Sequence, residues 1–170
     1  PHLRELRMDN VGYKTGDVVA FILWREEFLT DLVRAQEAGC FTVVGASALA
    51  DPSVTHADLL IGSRNDFSNQ MNPLDHLARF TTIVLTDGIN GSVAYSGSNE
   101  IKQRTYEVEV KDTTGAGDAF IAGYLAGVAH DLNPAQCLEI AAMWAASAVQ
   151  VNTSIPPAFE VVKAQWGIDF

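Results

Sequence analysis

Residues 112–120, with the sequence DTTGAGDAF, bring glycines, threonines and a carboxylate together at the junction of a loop and an apolar stretch. Gly115 and Gly117 can adopt positive φ and let a ligand approach the backbone closely. The first N–H groups of a helix have no intrahelical acceptor, so a helix beginning here would direct several of them at one anion. Asp118 would then lie in the first helical turn, beside that anion. The segment therefore indicates an anion-binding site that contains a carboxylate.

A structural interpretation of the same residues stays open. An aspartate in the first turn of a helix commonly stabilises it by ~0.3–1 kcal/mol through the helix dipole. The residues that follow, 119–129, are apolar or small on every face, which predicts a buried helix. The chemical interpretation of Asp118 therefore depends on what the rest of the chain places beside it.

A second glycine-containing loop, TDGINGS, occupies residues 86–92. The spacing of Gly88 and Gly91 would let backbone N–H groups or a flat base come close, although a plain tight turn between two strands explains it equally well. A third polar loop occupies residues 62–66. Ligands of open parallel sheets bind at the carboxyl ends of the strands. We expect the loops 62–66, 86–92 and 112–118 to leave that end and to meet there.

The familiar nucleotide and acyl-transfer fingerprints do not occur in this chain. It contains no G-x-x-x-x-G-K-[ST] and no G-x-G-x-x-G after a first strand. Its serines and cysteines lack the partner pattern of acyl-transfer enzymes. A phosphate cradle beside a carboxylate favours phosphoryl transfer, in which positioning and charge stabilisation dominate and a base receives the hydroxyl proton.

Composition limits the remaining function classes. With 170 residues, 48% hydrophobic and 19% charged, the chain is long enough for one globular domain. Its net charge of −10 argues against nucleic-acid and anionic-membrane surfaces. Cys40 and Cys137 suggest neither a zinc site nor a disulfide, and the four histidines lack metal-ligand spacing. No signal peptide or membrane span is recognisable, so we expect a soluble, cytoplasmic protein.

Hydrophobic patterning predicts strands that alternate with helices. Strands are expected at 18–23, 41–46, 57–62, 81–87 and 92–96, with a half-buried or edge strand at 102–110. Helices are expected at 25–38, in part of 64–79 with an interruption near Pro73, and at 115–131, 134–150 and 158–166. This order predicts an α/β fold with a Rossmann-like, mostly parallel sheet flanked by helices, as a single domain over residues 1–170.

The two glycine loops and their flanks resemble the C-terminal half of the ribokinase-like, pfkB-type sugar and nucleoside kinases. The resemblance rests on VLTDGINGSVAY at 84–95 and VKDTTGAGDAFIAGYLAG at 110–127, and it extends from about Gly16 to the end. It implies an ATP- and Mg²⁺-dependent kinase that phosphorylates a hydroxyl of a sugar or nucleoside, with K⁺ bound in some members.

By this resemblance, residues of the second and third loops take specific roles. Asp118 corresponds to the catalytic base, and the anion hole corresponds to Gly115, Ala116 and Gly117. The nucleotide site corresponds to Thr86, Gly88 and Gly91. The potassium loop corresponds to Asp112 and Thr114, with Ser154. Where the family has an N-x-x-E motif that organises magnesium through water, this chain has SRND, so Ser63 and Asp66 stand in its place.

The family's N-terminal portion has no counterpart in this sequence. That portion carries an early glycine pair, most sugar-contacting residues and a β-strand lid that often builds a dimer. We therefore expect the nucleotide-binding and catalytic-base portion of a kinase, with a homodimer as a further expectation. A non-catalytic nucleotide-binding or assembly protein is the alternative, and an unrelated Rossmann-like domain is the third interpretation.

Overall fold

The protein is described by a computed structural model that covers residues 11–67, 72–153 and 155–169. Its strands are β1 (Val18–Phe21), β2 (Phe41–Gly45), β3 (Ala57–Ser63), β4 (Phe80–Thr86), β5 (Ser92–Ser96) and β6 (Asn99–Gln103). Its α-helices are α1 (Leu29–Glu37), α2 (Ala116–Ala129), α3 (Pro134–Ala148) and α4 (Phe159–Trp166). None of the helices in these ranges is long and apolar enough to cross a membrane.

The six strands form one sheet in the order β1-β2-β3-β4-β5-β6. The first four strands are parallel, and β5 and β6 add an antiparallel hairpin. Ser63, the last residue of β3, pairs with Thr86, the last residue of β4. The carboxyl ends of these two strands are therefore level, and the loops that follow them start side by side.

Helices cover both faces of the sheet. On one face, Leu32 of α1 packs with Val44 and Leu60. On the other face, Phe120 of α2 and Leu138 of α3 lie in the same cluster as sheet residues that include Val43 and Leu59. Neighbouring strand residues point to opposite faces, so one apolar run can supply both layers. The expected α/β fold with a mostly parallel sheet is confirmed.

Helices α2 and α3 approach each other closely because their contact is made of small residues. A Cβ placed on Gly123 would lie 2.8 Å from the Cα of Ala141, and one on Gly127 would lie 2.8 Å from the Sγ of Cys137. Both cysteines of the chain are free and buried. Burial raises the pKa of Cys137 to about 11, so its thiol is protonated at neutral pH.

The helix expected within residues 64–79 is wrong for the described part of that segment. Two 3-10 turns, Arg64–Asp66 and Pro73–His76, occur in it, and residues 68–71 lie outside the described ranges. The first turn is closed by a capping box in which Ser63 N donates to Asp66 Oδ2 at 2.8 Å. These side-chain hydrogen bonds close a short 3-10 turn, and the i to i−4 backbone hydrogen bonds of an α-helix do not continue from it.

The edge strand expected at 102–110 is also wrong in its extent. Strand β6 begins at Asn99 and ends at Gln103, which pairs with Ser92, the first residue of β5. Because β5 begins at Ser92, no residue of β5 lies opposite residues 104–110, and these residues do not pair with the sheet. Their alternating pattern still has a structural meaning, because Tyr106, Val108 and Val110 line one cavity.

We predict that Gly123→Ala lowers the free energy of unfolding by about 1–3 kcal/mol, because the added methyl overlaps backbone of α3. Helix propensity alone would favour alanine by ~1 kcal/mol. Gly117→Ala, in the same helix, is the control, since a Cβ there meets no atom within 4 Å. Urea denaturation of both variants measures the effect. Equal stabilities for the two would contradict the packing explanation.

Candidate active site

A cavity of about 380 Å³ lies at the carboxyl end of β4. Its lining comes from the loop after β4, the segment 104–110, the loop before α2, and helices α2 and α3. Most of the lining is apolar, including Phe120, Ala142 and Val149. A volume of this size falls within the range of small-molecule pockets, ~300–1,000 Å³. The structure therefore has a concave site where two of the three predicted loops meet.

The N-terminus of α2 presents unpaired backbone donors at this cavity. Gly115 is the N-cap residue and adopts φ +79°, which requires glycine. Ala116 N donates to Thr113 O at 3.2 Å. Within the described ranges, the N–H groups of Gly115, Gly117 and Asp118 have no acceptor. Three donors and the positive end of the helix dipole are thus available to one anion.

One of the two reasons expected for a glycine at position 117 is wrong. Gly117 does not have a positive φ, whereas the open space that lets a ligand approach its backbone is present. It lines the cavity, and a Cβ built on it would meet no atom within 4 Å. The missing side chain therefore leaves open space beside the unpaired N–H groups.

The carboxylate of Asp118 is exposed in the first turn of α2. It makes no hydrogen bond or ion pair with another residue in the described part of the chain. The preceding residue, Gly117, lines the cavity. Asp118 is therefore not held in a packed interior, and its oxygens are available to a ligand beside the anion site.

The loop before α2 is held by α3 and not by a sheet strand, which corrects the expectation that it leaves the end of the sheet. Lys111 N and Asp112 N donate to Val149 O at 2.8 and 3.3 Å. Asp112 Oδ1 accepts from Thr114 N at 2.9 Å. The Thr114 backbone N–H, and then its side chain, hold the pKa of Asp112 below its ordinary value. Asp112 is therefore ionised at neutral pH.

The loop at 86–92 lines the cavity and is also a tight turn. Thr86, Gly88 and Gly91 all contribute to the lining. Gly91 has φ +95°, and a Cβ on it would overlap the carbonyl oxygen of Gln103. Gly91 is thus required by the close crossing of two backbone segments. Both interpretations of this loop, a turn and a site wall, apply to the same residues.

The loop at 62–66 lies beside the cavity without lining it. Ser63 and Asp66 are absent from the lining residues, and both take part in the capping box. Arg64 Nε lies 3.5 Å from Asp87 Oδ2, which connects this loop to the second one. The structure therefore brings the first loop next to the second one, but Ser63 and Asp66 do not line the cavity.

The residues expected to hold potassium are only partly within the described ranges. Asp112 and Thr114 form the hydrogen-bonded turn above, whereas Ser154 lies outside the described residues. Among the residues that the structure describes, no group of three or more His, Cys, Asp or Glu side chains could hold a metal ion. Any cation in this loop would therefore depend on hydroxyl and carbonyl oxygens as well as on Asp112.

Several lining residues were not identified from the sequence. They are Ile89, Ser92, Arg104, Thr105, Tyr106, Val108, Val110, Phe120, Ala142, Ala145, Ala146 and Val149, together with Thr113. Arg104 is the only basic residue among them. Thr105 Oγ1 donates to Ile89 O at 3.1 Å and fastens the segment 104–110 to the second loop. The alternation in YEVEV was the available signal, since its apolar residues face the cavity.

Comparisons with known proteins identify the family to which this chain belongs. Residues 36–159 match the profile described as pfkB family carbohydrate kinase. The chain is 39% identical over 71 residues to fructoselysine 6-kinase of Escherichia coli, which covers 42% of this chain and 27% of that protein. It is 29% identical over 119 residues to a nucleoside kinase of Methanocaldococcus jannaschii, covering 65% of this chain and 39% of that protein.

A solved structure shows the same fold. Aminoimidazole riboside kinase from Salmonella enterica, complexed with aminoimidazole riboside and an ATP analog, superposes with a TM-score of 0.75 at 19% identity. The match covers 89% of this chain and 63% of that one. The present chain thus spans 27–39% of the length of the two curated relatives.

We predict that Gly91→Ala lowers the free energy of unfolding by about 2–5 kcal/mol, because backbone strain of ~1–2 kcal/mol adds to an overlap with Gln103 that costs ~1–3 kcal/mol. Gly88→Ala is the matched control. Its φ is +53°, but a Cβ there meets open space, so its cost is limited to ~1–2 kcal/mol. Urea denaturation ranks the variants. A Gly88→Ala variant less stable than Gly91→Ala would contradict the crossing contact.

Proposed function

This chain belongs to the pfkB family of carbohydrate kinases, and we propose that it is the nucleotide-binding and catalytic-base portion of an ATP-dependent kinase acting on a sugar or nucleoside hydroxyl. The observation that carries the proposal is the group of three acceptor-free N–H groups at Gly115, Gly117 and Asp118, beside an exposed carboxylate. Of these residues Gly117 lines a cavity whose wall includes the second glycine loop, and Gly115 and Asp118 lie next to this lining in the first turn of α2.

The cavity is suited to a nucleotide in both its chemistry and its shape. Apolar walls from Phe120, Ala142 and Val149 fit a flat base, and glycines at 88, 91 and 117 leave the backbone accessible. The unpaired N–H groups fit its phosphates. When bound, ATP supplies the γ-phosphoryl group for transfer. The Salmonella relative complexed with an ATP analog has the same fold, which supports this assignment.

Asp118 is the proposed general base. Its carboxylate accepts the proton of the acceptor hydroxyl as the oxygen–phosphorus bond to the phosphoryl group forms and the bond to the leaving phosphate breaks. The N–H groups of Gly115 and Gly117 donate to the negative oxygens of the transferring group. Placement of the carboxylate one residue beyond Gly117 keeps donors and base on the same helical turn.

The magnesium contribution is proposed for the loop at 62–66. Mg²⁺ neutralises phosphate charge and prefers oxygen ligands, commonly through water. Asp66 Oδ2 accepts from Ser63 N, while Oδ1 makes no bond within the described ranges, so one carboxylate oxygen is available for a metal-bound water. Potassium is proposed for the turn of Asp112 and Thr114, where the low pKa of Asp112 keeps a negative charge.

A second candidate is a non-catalytic nucleotide-binding protein with the same fold. It is favoured by one observation, that Ser63 and Asp66, which stand in place of the N-x-x-E motif, are not among the lining residues of the cavity. A phosphorylation screen with sugars and nucleosides, run on the 170-residue chain beside a protein extended at its N-terminus, distinguishes the two. Turnover by either protein supports the kinase, and nucleotide binding without turnover in both supports the second candidate.

We predict that Asp118→Asn lowers kcat of the active protein by about 10²–10⁴-fold, since the amide cannot accept the hydroxyl proton. ATP affinity should change little, because the backbone donors are intact. Asp131→Asn, just beyond the other end of α2, is the control and should leave kcat unchanged. Steady-state kinetics with calorimetric ATP titration gives both values. Normal turnover in Asp118→Asn would refute its role as the base.

We predict that Gly117→Ala weakens ATP binding by about tenfold or more without lowering stability. The methyl would occupy the open space at Gly117, a residue that lines the cavity and carries one of the unpaired N–H groups. Calorimetric titration measures the affinity, and urea denaturation measures the stability. If ATP binds equally well to Gly117→Ala, the phosphates do not lie at this helix terminus.

A further inference from the structure

Ser92 carries a buried hydroxyl that the fold does not satisfy. It is the first residue of β5 and is 7% exposed. Its Oγ is the one buried side-chain nitrogen or oxygen in the described ranges that has no hydrogen-bond partner. Leaving such a group unpaired costs ~1–3 kcal/mol, and native structures retain few of them. The packing of the fold alone therefore does not explain why an unpaired hydroxyl is present at Ser92.

Two other buried hydroxyls in the described ranges, those of Thr42 and Ser147, are paired. Thr42 Oγ1 donates to Asp58 Oδ2 at 2.7 Å. Ser147 Oγ accepts from Trp166 Nε1 at 2.8 Å and donates to Gln165 Oε1 at 3.1 Å. The sequence thus provides partners for hydroxyls that serve packing alone. Ser92 differs from these residues because it also lines the cavity.

The surroundings of Ser92 indicate which part of a ligand its hydroxyl would meet. The lining residues of the neighbouring helices, such as Phe120, Ala146 and Val149, are apolar. Phosphates are drawn to the unpaired N–H groups of α2, which leaves the apolar walls to a flat heteroaromatic ring. The hydroxyl is covered in the ligand-free form, but rotation about the Cα–Cβ bond between staggered positions redirects it.

We propose that the Ser92 hydroxyl hydrogen-bonds to an edge atom of the nucleobase and so contributes to the choice of nucleotide. This inference rests on the proposed nucleotide-binding function of the cavity. A serine hydroxyl can donate or accept, so it can pair with a ring nitrogen or with an exocyclic group. Binding of the base then supplies the partner that the fold lacks.

Ser92→Ala should change stability and binding in opposite directions. Removing an unpaired buried hydroxyl leaves the melting temperature of the ligand-free chain unchanged or raised. The Kd for ATP should rise about threefold to tenfold, which corresponds to one neutral hydrogen bond. Ser96→Ala is the control, because Ser96 is on the same strand, bonds to Thr81 O at 3.4 Å and is not part of the cavity lining. It should bind ATP as the unmodified chain does.

Calorimetric titration with analogues of ATP identifies the base atom that bonds to the Ser92 hydroxyl. ATP is compared with its 1-deaza, 3-deaza, 7-deaza and 6-deamino analogues and with ribose 5-triphosphate, which has no base. One analogue should bind more weakly than ATP to the unmodified chain yet lose nothing further in Ser92→Ala. Ribose triphosphate should bind equally to both proteins. Such coupling between one base atom and one hydroxyl is what a direct hydrogen bond requires.

The remaining outcomes each overturn a different statement. If the unmodified chain binds ATP and Ser92→Ala binds it equally well, the hydroxyl has another partner, such as a trapped water, and only the Ser92 inference fails. If Ser92→Ala loses the same factor with ribose triphosphate, the contact is to ribose or phosphate, and the base assignment fails. If the unmodified chain binds no nucleotide at all, the proposed function fails together with the inference.

Discussion

The close packing of α2 against α3 is the contact on which the candidate site depends. Gly123 and Gly127 admit the backbone of α3 where any side chain would overlap it. This contact fixes where α2 lies on the sheet, and it therefore also fixes the position of the N-terminus of α2. The C-cap residue of α3 also binds the loop before α2, through Val149 O. One helix pair therefore positions the donors, the carboxylate and the loop that precedes them.

The opposite wall of the cavity depends on a backbone crossing. Gly91 lets the chain at Gln103 pass in contact with the second loop, and the Thr105–Ile89 hydrogen bond holds the next residues there. Because the pairing of β5 with β6 ends at that crossing, the residues after Gln103 leave the sheet and cover the cavity. Its apolar residues then serve as the wall, while the glutamates between them face solvent.

The positive potential at the site comes from groups that lie next to it and not from the net charge of the chain. A chain with a net charge of −10 repels a polyphosphate at long range, yet such repulsion is screened beyond ~8 Å at physiological salt. Oriented N–H groups act at hydrogen-bond distance, where screening is weak. Among the lining residues only Arg104 is basic, so backbone dipoles provide most of the positive potential. The exposed carboxylate of Asp118 can remain beside them because it is solvated.

The sequence by itself determined strands β1 to β5, the four α-helices, the glycine-capped start of α2 and the family, because these depend on short-range patterns. Apolar runs require burial, and positive φ at Gly115 requires glycine. Only the tertiary structure decided that 104–110 is a cavity wall and not a strand, since the end of its partner strand at Ser92 lies elsewhere in the chain. The same holds for the hydroxyl of Ser92 and the open space at Gly117. Whether a polar atom has a partner, or a glycine has space around it, is set by segments that are distant in sequence.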